Sequence, residues 1–162
     1  MKLILSVSLI ATVVFLAGCG RVQNVQVGRS PGFDSRSDIA YWIEPFEDNN
    51  SYEDKVKFTE AAKTVSGAFE TAFLAAGYRI VSKGKEDATV TGTVFAYHRG
   101  TFGGPPSTVG FEVKATDSKS GEVLWKASHS ISTYSQYNYD PALLAGDVAK
   151  ELVQRLRAPA GR

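Results

Sequence analysis

Residues 108–131 constrain the fold more than any other stretch. Val109, Phe111, Val113 and Ala115 alternate with Gly110, Glu112, Lys114 and Thr116. A turn, Asp117-Ser118-Lys119-Ser120-Gly121, follows. The chain then alternates again, with Val123, Trp125, Ala127, His129 and Ile131 against Glu122, Leu124, Lys126 and Ser128. A period of two on both sides of a glycine-bearing turn predicts an antiparallel hairpin. Its Val/Phe/Trp side faces a core and its Glu/Lys side faces water or a neighbour, which makes Trp125 a core residue.

The elements around the hairpin read as helices and further strands. Ile39, Tyr41 and Ile43 alternate before Pro45, predicting a strand over 38–44. Asp48-Asn49-Asn50-Ser51 breaks it, and Ser51 suits the N-cap of a helix with Glu53 and Asp54 in its first turn. Phe58, Ala62, Val65, Phe69, Ala72 and Ala76 form one apolar stripe, and Gly77 stands where a C′ glycine belongs. Tyr78–Ser82 is a short strand. Strand, helix, strand at this spacing is a βαβ unit with parallel strands. Residues 88–98 form a third strand, with Ala88, Val90, Val94 and Ala96 on one face and Phe95 and Tyr97 on the other. Asp140 caps a final helix with Pro141 at its first position, Leu144, Val148, Leu152 and Leu156 as its stripe, and Arg155 and Arg157 at its end. The expectation is a single α/β (α+β) domain over 38–158 in β-α-β-β-β-α order, a mixed sheet with two helices on one face.

The N-terminus carries a different signal. Lys2 precedes an almost unbroken apolar run from Leu3 to Phe15, and Leu16-Ala17-Gly18 leads into Cys19, the single cysteine. That is a secretory leader with a small-residue cleavage site. The run is short for the ~20 apolar residues that span a bilayer. The four residues ending at Cys19 resemble the lipobox of bacterial lipoproteins. The resemblance implies cleavage of residues 1–18 after Leu16-Ala17-Gly18, lipidation of Cys19 and a body outside the cytoplasm; Gly20, in place of an aspartate, implies the outer membrane. More than one acyl chain gives stable anchoring, at about 0.8 kcal/mol per buried CH₂. Residues 19–37, polar with glycines and Pro31, read as a flexible tether with a root-mean-square reach of about 20–25 Å.

Balanced charge excludes some partners. Without Lys2, 17 basic side chains face 17 acidic ones, so nothing argues for nucleic acid or a polyanion held by bulk charge. With Cys19 lipidated, no disulfide or cysteine nucleophile remains. The loop Arg99–Ser107 has neither the spacing nor the lysine-serine ending of a phosphate loop, and no His/Cys/Asp cluster has zinc spacing. Neither His98 nor His129 accompanies a nucleophile elbow. No cofactor, no metal and no catalysis are expected.

A wider resemblance emerges from the element order, the segment Ala76-Gly77-Tyr78-Arg79-Ile80, the strand Ala88–Val94, the turn Asp117–Trp125 and the last amphipathic helix. Behind a lipobox, these resemble periplasmic lipoproteins with a TolB-N-terminal-like α/β fold, over most of residues 38–157. The family includes the curli-secretion channel lipoprotein (CsgG), the Pel polysaccharide-export lipoprotein (PelC) and the peptidoglycan-synthase activator (LpoB). The channel formers carry membrane-inserting hairpins that this chain has no strand pair to match, so the resemblance points to the ring-forming export lipoprotein or the activator. It implies a non-catalytic interaction or assembly role beside an envelope machine, self-association included. With two helices on one sheet face, Trp42, Leu124, Phe95 and Tyr97 are candidates for a partner surface on the other. The alternative is a glycan-binding module for polysaccharide or peptidoglycan, stacking sugars on Phe102, Tyr134, Tyr137 and Tyr139, with a hydrolase as the third and least favoured reading.

Overall fold

The computed structural model describes residues 25–31, 33, 38–50, 60–100, 104–133 and 140–158. Its centre is a meander of three eleven-residue strands, β5 (Ala88–His98), β6 (Ser107–Asp117) and β7 (Val123–Thr133). They pair antiparallel from Ala88↔Asp117 to His98↔Thr108 and from Ser107↔Thr133 to Thr116↔Val123. The alternating pattern becomes burial: Val109, Phe111, Val113 and Ala115 are buried, while Glu112 and Lys114 are exposed. Asp117 organises the turn, where its Oδ1 accepts the backbone N–H groups of Lys119 (2.9 Å) and Ser120 (2.7 Å). Gly121 takes the positive φ of 75° that closes it.

The βαβ unit is present. β2 (Ala40–Ile43) pairs parallel with β4 (Arg79–Ile80) on one side and with β5 on the other. Between them runs α1 (Ala61–Ala75). α1 begins at Ala61 after Glu60, later than the Ser51 cap the sequence suggests, and residues 51–59 lie outside the described residues. The C-terminal end follows the sequence closely: Gly77 has φ 81°. The Gly77 N–H donates to the Leu74 carbonyl at 2.9 Å and the Tyr78 N–H to Phe73 at 3.0 Å. The Tyr78 and Phe73 rings pack 5.1 Å apart, the apolar clasp of a Schellman end. β3 (Glu47–Asp48), a two-residue element absent from the sequence reading, pairs with β5 beyond β2. The last helix, α2 (Pro141–Arg157), begins as expected, with the Asp140 carboxylate accepting the Ala142 N–H at 2.9 Å.

Two expectations need correction. The 19–37 segment is not tether throughout: Gln26–Arg29 forms β1, antiparallel to β7, and Val25 is buried. The full order is β1-β7-β6-β5-β2-β4, with β3 beside β5. Tyr97 does not share a face with Phe95. A register shift between Val94 and Ala96 leaves Phe95 as the extra residue of a bulge, which returns Tyr97 to the core side.

The core fills the space between the sheet and both helices. Phe69 and Phe73 of α1 meet Phe111 (5.1 Å between ring centroids), Tyr41 (5.3 Å) and Trp125 (6.0 Å). Leu144, Val148, Leu152 and Leu156 supply the α2 side. Each such side chain contributes about 1.5–3 kcal/mol when buried. Burial pushes the Tyr41 hydroxyl pKa up to about 12, the nearby Trp125 indole opposing the rise.

Candidate functional site

Both helices cover one face, and among the described residues the other face of the sheet has no second layer. Register places on it every residue that alternates away from the core. Thr91 lies beside Lys114, and Lys114 beside Lys126. In the next row Thr93, Glu112, Ser128 and Gln26 follow one another across four strands. With Glu44 and Glu47 along one flank, they line a shallow polar trough of about 1220 Å³. Gly28 keeps the β1 end low, and the Lys126 stem passes beside it, its Cγ 3.6 Å from where a Cβ at 28 would stand. Two lysines as direct cross-strand neighbours repel one another. That is a local cost which folding alone does not require.

The aromatic candidates are dispersed. Trp42 stands on the open face, paired beside Thr89, with the Lys83 ammonium 4.7 Å from its ring. Such a contact is worth about 0.5–1 kcal/mol at an exposed site. Phe95 also lies on the open side. Its ring covers Gly110, where a Cβ would come within 2.5 Å of it. Leu124 departs from the expectation. It sits at the register shift opposite Ala115 and Thr116, half-buried and packed against the core. Tyr97 is buried, and its backbone is held at both ends by Asn50: the Asn50 Nδ2 donates to the Tyr97 carbonyl (3.0 Å) and the Tyr97 N–H donates to Oδ1 (3.2 Å). Burial raises the Tyr97 hydroxyl pKa, and the Asp140 carboxylate adds to the rise while Thr64 opposes it. Leu16, Ala17, Gly18, Cys19, Phe102, Tyr134, Tyr137 and Tyr139 lie outside the described residues.

The two histidines do not share a site. His129 is buried on the core side, 6.4 Å from the Phe111 ring. His98 ends β5 on the opposite face, in a row with Thr108 and Ser132, whose hydroxyls are 2.8 Å apart. Among the described residues, no three His, Cys, Asp or Glu side chains come together to hold a metal.

Sequence reasoning found the Glu112/Lys114 alternation but missed the trough as a whole. Its outer wall, Gln26 and Gly28, stands in the segment read as tether. The visible signal was Val25 and Val27 alternating with Gln26 and Gly28, a run too short to separate from loop.

No family model matches the chain, and no curated protein sequence matches it. Solved structures do. The PelC dodecamer from Paraburkholderia phytofirmans is 15% identical and superposes on 85% of this chain and 99% of that one, with a TM-score of 0.64. Lipoprotein GNA1162 from Neisseria meningitidis is 17% identical, covering 75% of this chain and 99% of that one at a TM-score of 0.51. The LpoB C-terminal domain from Salmonella enterica is 8% identical, over 59% of this chain and 83% of that one, at 0.39. For PelC and GNA1162, at these identities, the likeness is one of fold. The fold anticipated from the lipoprotein resemblance is the fold observed, and it is shared with PelC over nearly all of the PelC chain.

Proposed function

We propose that this chain is a lipid-anchored, non-catalytic protein of the bacterial cell envelope that assembles with copies of itself beside an export or envelope-synthesis machine. The carrying observation is the fold shared with a protein solved as a dodecamer, matched over 99% of its length. The lipobox ending at Cys19 supports anchoring, and Gly20 supports the outer membrane. A second reading, a glycan-binding module, has the polar trough of Thr93, Glu112, Ser128 and Gln26 in its favour, since hydroxyls, amides and carboxylates in rows suit sugar hydroxyls.

Sedimentation of the mature chain over a hundredfold concentration range tests the first reading. A cooperative rise to one large closed species is expected, and a monomer at every concentration refutes it. Retention on immobilised envelope polysaccharide, lost on Glu112→Ala with Ser128→Ala, would instead support the second.

A further inference from the structure

The discovery that β1 belongs to the sheet shortens the tether, and the shorter tether limits how the domain can stand on a membrane. Only six peptide steps separate Cys19 from the buried Val25, about 21 Å when fully extended. Gln26 pairs with Ser128 and β1 runs antiparallel to β7. The chain therefore enters the sheet from the rim where β7 ends at Thr133. Val25 stands level with His129, four residues from that rim, or about 13 Å. The opposite rim, with the Asp117–Gly121 turn, is eight residues away along β7, about 26 Å and beyond the reach of the tether.

The near rim also holds the start of both helices: Tyr97, one residue from the end of β5, meets Thr64 of α1 and Asp140 at the start of α2. In the first turn of α2, Leu143 is 64% exposed, more than any other large apolar side chain among the described residues. Leu74 and Val123, the other two, belong to the far end, at the last turn of α1 and the first residue of β7. Among the described residues near the rim, Arg99 is offset by Glu60 and Asp140, so contact there rests on the anchor.

We infer that the rim carrying the end of β7 and the first turn of α2 faces a lipid bilayer, with Leu143 at the interface. The occupant is the membrane to which Cys19 is fixed, so the inference rests on the lipid anchor proposed above. It replaces a domain standing free on a long leash with one whose far rim cannot turn to the bilayer.

The test uses the full chain, processed in a bacterial host and reconstituted in phosphatidylethanolamine/phosphatidylglycerol vesicles with brominated acyl chains. Leu143→Cys and, at the far turn, Ser120→Cys each carry a bimane label, and the mass of the Cys19 peptide is measured on the same samples. Bromine quenching at 143 at least twice that at 120, insensitive to salt, is the expected result. Equal quenching on a protein whose Cys19 is lipidated overturns the orientation and leaves the anchor standing. A label at 143 shielded from water but not quenched gives that rim to a second copy of the chain and also overturns it. A bare Cys19 with the leader attached overturns the anchor and the orientation together.

Discussion

Two glycine-to-alanine changes should move stability in opposite directions, and the structure says why. Gly92 lies on the core side of β5 between Val90 and Val94. The Phe46 ring lies against it: a Cβ at 92 would meet Phe46 Cδ2 and Cε2 at 2.8 Å and Cζ at 2.9 Å. The ring cannot swing aside. Phe46 is 6% exposed and packs on Phe69 with centroids 5.3 Å apart. Its backbone is fixed on both sides, by the Glu44 N–H to the Val90 carbonyl (2.9 Å) and the Asn49 N–H to the Val94 carbonyl (2.8 Å). An added methyl must therefore push the ring into Phe69 or bow β5, a cost of about 1–3 kcal/mol. For a domain of this size that is a loss of about 4–12 °C in Tm. Gly67, in the middle of α1, has nothing within 4 Å of its Cβ position. There alanine only removes backbone freedom from the unfolded chain, and Gly67→Ala should stabilise by up to about 1 kcal/mol. Urea unfolding of both variants decides the matter. Combining Gly92→Ala with Phe46→Leu should cost less than the sum of the two, by about 0.5–3 kcal/mol. Strict additivity, or Gly92→Ala melting at or above the parent, would refute the steric argument.

Asp140→Ala removes the acceptor for the Ala142 N–H and should cost about 0.5–2 kcal/mol by chemical denaturation. Gly121→Val forces a branched side chain onto a φ of 75° and should cost about 1–2 kcal/mol, read in the same assay. Tyr41 gives a pH limit. Its folded pKa is raised to about 12 by burial, so the stability linked to its neutral form is complete below the ordinary value near 10 and is lost as pH rises through about 12. Alkaline melts should therefore fall steeply between those values, and Tyr41→Phe should flatten the fall. At the acid end, hydrogen bonds from Ser120 and Lys119 hold the exposed Asp117 carboxyl below its usual range. An NMR titration should give a depressed midpoint, with the turn loosening only as pH falls through it.

How far the fold was legible depended on how many residues carried each signal. β5 has the bounds that its threonine- and valine-rich run predicted, and α2 starts at the Asp140-Pro141 pair that announces it. Long alternation and a cap with a stated donor leave little freedom. β1 offered four residues, two of them glutamine and glycine, and its pairing partner lies about a hundred positions away. Nothing local distinguishes such an edge strand from a loop. Tyr97 went to the wrong face because alternation was extended through Phe95. A bulge inserts one residue without any mark of composition, and every side chain beyond it changes sides. Trp42 lies on the open face by parity within a short strand, while Leu124 is displaced by the second register shift. The trough could not be seen at all before β1 was in place, since one wall of it is β1.

The two ends of the sheet bear on how copies could assemble. β1 covers Trp125–Ser128, four of the eleven residues of β7, and the strand it puts at that edge is itself only four residues long and includes Gly28. Arg29 closes it further by donating to the Ala158 carbonyl at 2.7 Å, tying the strand to the end of α2. The other edge, β4, is two residues long. Short edges of this kind are what sheets use to prevent strand-to-strand extension, because a partner strand would gain only a few hydrogen bonds. Self-association built on a continuous intermolecular sheet could not use β6, which is already paired with β5 and β7 along nearly its whole length. The surfaces left for a stable contact are the broad ones: the outer sides of the helices and the unlayered sheet face, where Lys114 and Lys126 sit in adjacent positions with Glu112 and Glu44 nearby. If copies assemble as proposed, like charges brought together on one copy can be relieved by opposite charges on another. Charge reversal at Lys126 should therefore alter assembly more than any change that adds or removes a hydrogen bond along β1.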